Sequence, residues 1–381
     1  MLVESGKVRL DDPVGLHVDS ILSHLMNETV QTLFKPYGGQ VTIRNLIAMR
    51  SGIPDFDLPH YDHQIIDANR QSPMDILRYA STLAWACPPA SCTSYSSTNY
   101  VLLGFVLLKH TPGPRQQGKE PPSGNEWTSL NLGKSLHLDF DEIIFPNKGR
   151  LSTVSGGLTV AGESLSNGKI ELFEQDASIL GWTCGNGVAS GHATARFYYE
   201  LLGPGGDLLS PESISVMKTW TKVDIGWEKD KLMYGGGLMI QSVSPKVKSP
   251  ATLEEFASYV GHGGDTYGFM SDNGFFPSLN ASISVIVNQD YDWAYPTQVV
   301  TCKVVELVAR HLGHEDVDLG CIAPKSPSEK HYLCQNLYGK PTCIGSTFAG
   351  KGIGTNKEKC NSNCTAQNAG PLSPLKKPAG E

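Results

Sequence analysis

The sequence predicts an α+β protein: an antiparallel sheet flanked by helices, an all-helical subdomain, and a small Cys-rich C-terminal module. Three observations carry this expectation. Capped helical segments dominate the chain ahead of residue 220. Glycine-punctuated runs of apolar, β-branched and aromatic residues follow between 232 and 290, and a long amphipathic segment closes them. Five of the nine cysteines then crowd into the last 61 residues.

Taken in order, LVESGKVRLDDPV (2–14) reads as the end of an amphipathic helix running into a turn. A domain that opens mid-helix without an N-cap is expected to be an N-terminally truncated one. Thr42 caps IRNLIAMR, with Gly52 just past its end. Ser72-Pro73 opens MDILRYASTLAW, and Ser210-Pro211 opens ESISVMKTW, each with proline at the favoured first helical position. Asn99 to Lys109 is apolar on all sides, which predicts a buried helix. Residues 110–170, rich in Pro, Gly, Ser and Asn, read as a long insertion or lid. Ser190 precedes a helical pattern that runs through ATARFYYELL to Gly203.

LMYGGGLMIQS, FASYVGHGG, YGFMSD and ASISVIVNQD then predict an antiparallel meander. PTQVVTCKVVELVARHLG is the helix expected on one of its faces. The expected boundaries are a main domain over 1–312, a polar linker over 313–333 and a Cys-rich tail over 334–381. The tail spacing C-x8-C-x16-C-x3-C lacks paired C-x2-C knuckles and histidines, so a disulfide-stapled module is preferred to a metal site.

Composition narrows the function. The net charge of −7 argues against a nucleic-acid partner. Residues 322–381 hold eight lysines against three acids, and a solvated tail is the simplest reading of that excess. The longest apolar run, Val101 to Leu108, is too short to span a bilayer, so no transmembrane segment is expected. Sequons at Asn27, Asn280 and Asn363, with the cysteines, favour an extracellular or secretory-lumen setting. The sequence names no protein partner for the tail.

The stretch YSSTNY (95–100) stands directly before the buried helix. Tyr95 is there either to close the helix, with Ser97 or Thr98 as its N-cap, or to do chemistry at its mouth. Four stretches in order, LVESGKVRLDDPV, VTIRNLIAMRSGIPDF (41–56), YSSTNYVLLG (95–104) and YVGHGGDTYGF (259–269), resemble the serine β-lactamase-like family of class C-type β-lactamases, penicillin-binding DD-peptidases and related esterases. GNGVASGHATARFYYELLGPGGDLLSPESISVM (185–217) is similar to that family's helical-domain stretch. The resemblance covers most of 1–312 and none of the tail.

The resemblance implies a β-lactamase/transpeptidase-like fold and acyl transfer through a serine of an S-x-x-K motif. Tyr95 would be the base of a Y-x-N motif, and Ser97 takes the asparagine's place. A serine hydroxyl is shorter than the amide it replaces and leans the site towards esters. His262-Gly263-Gly264 would be the third motif, with glycines that allow close backbone approach, and the Asp265 N–H would be an oxyanion donor.

The only S-x-x-K is Ser215-Val216-Met217-Lys218, inside the Ser210-Pro211 helix, and is read as a chance match; the nucleophile is unknown. The sheet is also expected to lack its N-terminal strands and so to expose an edge. The expected function is a β-lactamase-related serine hydrolase acting on a small-molecule or peptide-like ester, amide or lactam, inactive as this truncated chain. A pseudoenzyme that holds a ligand in the same cleft is the alternative, and a third reading makes the tail the working part. No cofactor or metal is implied: HYDH (60–63) reads as a polar loop, and His314-Glu315-Asp316 with Asp318 as the charged start of the linker.

Overall fold

The computed structural model describes residues 1–58, 61, 70–111, 126–130, 132, 142–155, 163–164, 170–226, 232–247, 253–266, 268–290, 296–321, 331–337 and 340–346. Its first residues bear out the reading of a helix end. The Lys7 N–H bonds to the Leu2 carbonyl and the Gly6 N–H to Val3, both at 3.0 Å, and Gly6 is left-handed at φ 69°. This is the hydrogen-bond pattern that closes a helix C-terminus. Helices α1 (Val14–Met26), α2 (Val30–Leu33) and α3 (Ile43–Ile47) follow, then α4 (Pro73–Ser81) and α5 (Ser97–His110).

The local caps behave as their residue types require. Thr42, Ser72, Ser190 and Ser210 each accept a backbone N–H three residues on. Helix α3 nevertheless stops at Ile47, short of the expected end at Arg50, because Met49 turns into the left-handed region at φ 56°. Gly52 follows at φ 74°, where a Cβ would lie 1.9 Å from the Cys87 carbonyl. The sharp turn needs glycine for both reasons.

Helix α5 is the axis of the helical subdomain. Val101, Leu102 and Phe105 are fully buried, and α1, α3 and α4 pack around it. At its far end, His17 of α1 links Asp12 to His110 through two 3.0 Å contacts. Within the expected insertion, the described residues include a 3-10 turn at Glu126–Ser129, strand β1 (Ile143–Ile144) and helix α6 (Leu151–Val154). Trp127 packs edge-on to Trp182 there. Short strands β2 (Glu163–Ser164) and β3 (Ile170–Glu171) follow, and β4 (Val188–Ala189), beyond the expected insertion, pairs back to β1.

Helices α7 (Gly191–Leu202) and α8 (Pro211–Met217) precede the main sheet. Its strands are β5 (Thr221–Lys222), β6 (Met233–Tyr234), β7 (Met239–Ser242), β8 (Ser258–Thr266), β9 (Phe269–Phe276) and β10 (Ala281–Val287). They form a six-stranded antiparallel meander in which each strand neighbours the next. Alternation divides its two faces. Tyr259, Phe276 and Ile283 meet Cys302, Val305 and Ala309 of the closing helix α9 (Pro296–His311), while Val260 and Phe275 meet Leu201 and Leu202 of α7. The sheet is therefore covered by helices on both faces. Among the described residues, β10 and β5 are the outer strands of this sheet. Strand β11 (Gln289–Asp290) leaves that sheet to pair with β2.

Cys321, which the expected boundaries place in the linker, is disulfide-bonded to Cys302 of α9, and Cys87 to Cys92. Residues 314–321 thus fold back on the closing helix. Leu319 is buried, its N–H bonds to Glu306 at 2.9 Å, and Asp318 pairs with Lys246 at 2.7 Å. In the tail, β12 (His331–Leu337) and β13 (Lys340–Ser346) form a hairpin whose register sets Cys334 opposite Cys343. Cys360 and Cys364 lie outside the described residues, as do His60, Asp62 and His63 of HYDH.

Removing the Cys302–Cys321 bridge frees a loop of 19 residues in the unfolded chain. Chain entropy then predicts a loss of about 3 kcal/mol for Cys302→Ala/Cys321→Ala. Urea unfolding followed by tryptophan fluorescence measures it, and a loss below about 1 kcal/mol would contradict the assigned pairing's structural role.

Candidate active site

The site is assembled where the head of α5 meets the cleft end of β8. The segment Ser51–Asp57 holds that helix head in place. Thr98 Oγ1 accepts the Phe56 N–H at 3.1 Å and donates to the Pro54 carbonyl at 2.9 Å. Ser51 donates to Asn99 Oδ1 at 2.6 Å, and Asp55 Oδ1 accepts the Ser97 N–H at 2.9 Å. Ser96 is the residue at the N-cap position, but its side chain makes no cap bond. The expected Ser97 or Thr98 cap is thus replaced by a carboxylate brought in from the SGIPDF segment. Ser97 is the first helical residue, half-buried, and Tyr95 stands two residues before it at the helix mouth.

Tyr95 faces a cluster of aromatic and imidazole rings from other elements. Its ring lies 5.9 Å from Tyr234 of β6 and 6.4 Å from His262 of β8. Tyr234 donates to the Tyr100 hydroxyl at 3.2 Å, and Tyr100 donates to the Ile47 carbonyl at 3.2 Å. The Tyr234 oxygen also stands 3.5 Å from His262 Nε2. His262 Nδ1 meets the Gly263 carbonyl at 2.5 Å. A carbonyl only accepts, so Nδ1 carries the proton and Nε2 keeps its lone pair towards Tyr234.

The electrostatics are those of a dry site. Burial above all, then the charge on Asp55, holds the Tyr95 phenol well above its ordinary range; Cys184 and Asp57 add to this. Burial likewise raises Tyr234 strongly and pushes Tyr100 up to about 12. Asp55 is raised by burial and by the neighbouring Asp57. Burial lowers His262, with the Gly263 carbonyl opposing it. Tyr95 is therefore a protonated phenol at neutral pH in this arrangement, and serving as a base would require a cation brought beside it.

Strand β8 runs past this cluster, and among the described residues its two ladders end at different points. Pairing with β7 ends at Gly261, whereas pairing with β9 continues to Thr266. The Gly263 N–H points to the β7 side, where Gln241 Oε1 accepts it at 3.0 Å. By the two-residue period of a strand, the Asp265 N–H points the same way. Gly264 shares a face with His262, and a Cβ there would lie 2.6 Å from Ser271 Oγ. Asp265 falls on the opposite face, that of Tyr259 and helix α9. Its exposed side chain is thereby turned from the face that carries His262.

The structure thus sets the Tyr95 ring beside Tyr234 and His262, with Ser97 two residues on in the first turn of α5 and Gly264 and Asp265 further along β8. Ser215 is elsewhere: it is exposed on α8, and Lys218 caps that helix. Asp55, Tyr100, Tyr234 and Gln241 were not singled out from the sequence. SGIPDF and the tyrosine before GGG in LMYGGG were visible as motifs, but their partners lie 42 residues away, at Ser97 in α5, in the first case and 134 residues away, at Tyr100, in the second.

A helical subdomain set against a helix-covered antiparallel meander, with the cleft between them, is the β-lactamase/transpeptidase-like fold. The family pattern described as Beta-lactamase matches residues 1–298, and the chain belongs to that family. Similar solved structures include a D-stereospecific amidohydrolase from a Streptomyces species, 21% identical with a TM-score of 0.56 over 76% of this chain and 77% of that one. A D-amino acid amidase from Ochrobactrum anthropi SV3 is 18% identical, with a TM-score of 0.57 over 82% and 79%. A penicillin-binding protein from Bacillus halodurans is 17% identical, with a TM-score of 0.54 over 81% and 80%. At these identities the likeness is one of fold. No curated protein matches the chain by sequence.

Two outcomes follow from the site. Thr98→Val keeps the shape but strands the Phe56 N–H and the Pro54 carbonyl, so it is expected to cost about 2 kcal/mol in urea unfolding. His262 is harder to protonate folded than unfolded, so the stability its neutral form contributes is complete above about pH 6.5 and lost as pH falls below it. The stability of wild type relative to His262→Gln should accordingly decline on acidification below pH 6.5, and an imidazole nitrogen NMR titration should report the lowered pKa directly.

Proposed function

We propose that the cleft is the acyl-binding part of a β-lactamase-family serine hydrolase site, taking the carbonyl of a small or peptide-like amide, ester or lactam. The observation that carries this reading is the approach of the Tyr95 ring, at the head of a buried helix, to within 6.4 Å of the His262 ring on β8. A carbonyl group laid along that strand would present its oxygen to the Asp265 N–H and its reacting face to the Tyr95 hydroxyl. Such preoriented donors are the largest contribution to acyl-transfer catalysis. The amidase and penicillin-binding titles of the similar structures support an amide or lactam substrate, while Ser97 in place of asparagine favours an ester. The two disulfides and the sequons favour an oxidising, extracytoplasmic setting, and among the described residues no helix is long and apolar enough to cross a membrane.

The second reading, a ligand-holding protein without turnover, is favoured by a specific observation. Burial first, and the acidic groups beside it second, keep the Tyr95 phenol protonated. A fluorescent fluorophosphonate and a fluorescent penicillin separate the two. Covalent labelling that falls about 100-fold or more in Tyr95→Phe supports the hydrolase and excludes the holder. Saturable, reversible binding of the penicillin without labelling supports the holder. Neither labelling nor binding would overturn the assignment of the cleft.

A further inference from the structure

Away from the cleft, the described residues hold a chain of three titratable groups that the acyl chemistry does not use. Asp12 precedes α1, His17 lies in the first turn of α1, and His110 is the last residue of α5. His17 Nε2 stands 3.0 Å from Asp12 Oδ2, and His17 Nδ1 stands 3.0 Å from His110 Nε2. Asp12 and His17 are each only 6% exposed, and His110 is half-buried. The two imidazoles meet edge-on, with ring centroids 5.1 Å apart. They tie the end of α5 remote from Tyr95 to α1.

One carboxylate fixes the protons of this chain. The Arg9 backbone N–H above all, then the Arg9 and His17 side chains, hold Asp12 down at about 2 against the opposing effect of burial. It therefore stays ionised and only accepts, so His17 Nε2 carries a proton. Neutral His17 then turns its Nδ1 lone pair to His110, whose Nε2–H donates. A first proton from solvent goes to His110 Nδ1. An imidazolium on either ring still donates across the 3.0 Å contact, so the bond holds. A second proton leaves no acceptor there: both facing nitrogens carry N–H groups, and both rings are cationic.

The surroundings do not offset that second charge. The segment before α1 brings Lys7 and Arg9 beside Asp12, and α5 brings Lys109, whose ammonium reaches Ser20 Oγ of α1 at 3.4 Å. The other acids nearby in the chain are engaged elsewhere. Asp11 pairs with Arg44 of α3, and Asp19 of α1 accepts the Val30 N–H of α2 at 2.8 Å. On α4, Asp75 bonds its own cap residue Ser72, and Arg78 is exposed. Burial first, then His17, Lys109 and Lys7, lower His110.

We propose that His17 and His110 form an acid-operated latch between α1 and α5, closed with up to one shared proton and open with two. The folded pair takes its second proton less readily than the unfolded chain does. The latch is therefore complete above the ordinary histidine value of about 6.5 and is lost as pH falls below it. Its opening loosens the end of α5 remote from the cleft, while the clamp of Ser51–Asp57 on the first turn contains no histidine. The inference is independent of the acyl chemistry.

Site-resolved hydrogen exchange on the full chain tests it, corrected for intrinsic rates, at about pH 7.5 and about pH 5. The Thr111 N–H, bonded to the Leu107 carbonyl at 2.8 Å, should lose protection at least about tenfold at the acid pH. The Asn99 N–H at the head of α5 should keep its protection. His110→Gln retains an N–H for His17 Nδ1 and removes the second charge, so the acid loss should vanish. By imidazole NMR, the wild-type pair should titrate in two steps at least about one pH unit apart. Equal protection of Thr111 at both pH values, two independent single-step titrations, or an acid loss that persists in His110→Gln would each overturn the latch. Where His110→Gln does not fold, the wild-type exchange and titration decide alone.

Discussion

Everything that positions the site rests on the polar clamp between Ser51–Asp57 and the first turn of helix α5. A helix buried on all sides cannot rely on water to satisfy its first N–H groups, and this one has no side-chain cap of its own. Asp55 takes the Ser97 N–H, and Thr98 and Asn99 bond back to the same segment. Each such bond contributes about 1 kcal/mol net, but leaving a partner unpaired there costs more. The clamp is therefore close to all-or-none, and it fixes where Tyr95 emerges.

The second half of the cleft follows from β-strand alternation. Strand β8 sends Val260, His262 and Gly264 to one face and Tyr259, Gly261, Gly263 and Asp265 to the other. His262 thus joins the tyrosines, while the Asp265 carboxylate goes to the far face and its N–H points to the same side as that of Gly263. An aspartate beside an oxyanion position is compatible with this geometry, because backbone and side chain leave the strand in perpendicular directions. The same burial that makes the cleft dry keeps its phenols protonated and His262 neutral.

Legibility in the sequence tracks the range of the interaction. The caps at Thr42, Ser72, Ser190 and Ser210 were readable because cap and acceptor lie three residues apart. The helix end at Gly6 and the meander were readable for the same reason. The end of α3 was misplaced by three residues, since the left-handed turn at Met49 answers to the packing of Tyr95 and α5 rather than to a local signal. The bond from Cys321 in the expected linker to Cys302 was not legible, because disulfide pairing depends on which two cysteines approach in space.

By itself, the sequence determined the fold class, the family resemblance and the identity of Tyr95, Ser97, His262, Gly264 and Asp265 as the residues to watch. Motif order and two- or three-residue periodicities are short-range properties that a linear chain carries openly. Only the tertiary structure decided that Asp55 caps the helix of Tyr95, that Tyr100 and Tyr234 surround it, and that Asp265 turns away from His262. Those contacts join residues far apart in the chain, and burial, which sets their protonation, exists only once the chain has closed around them.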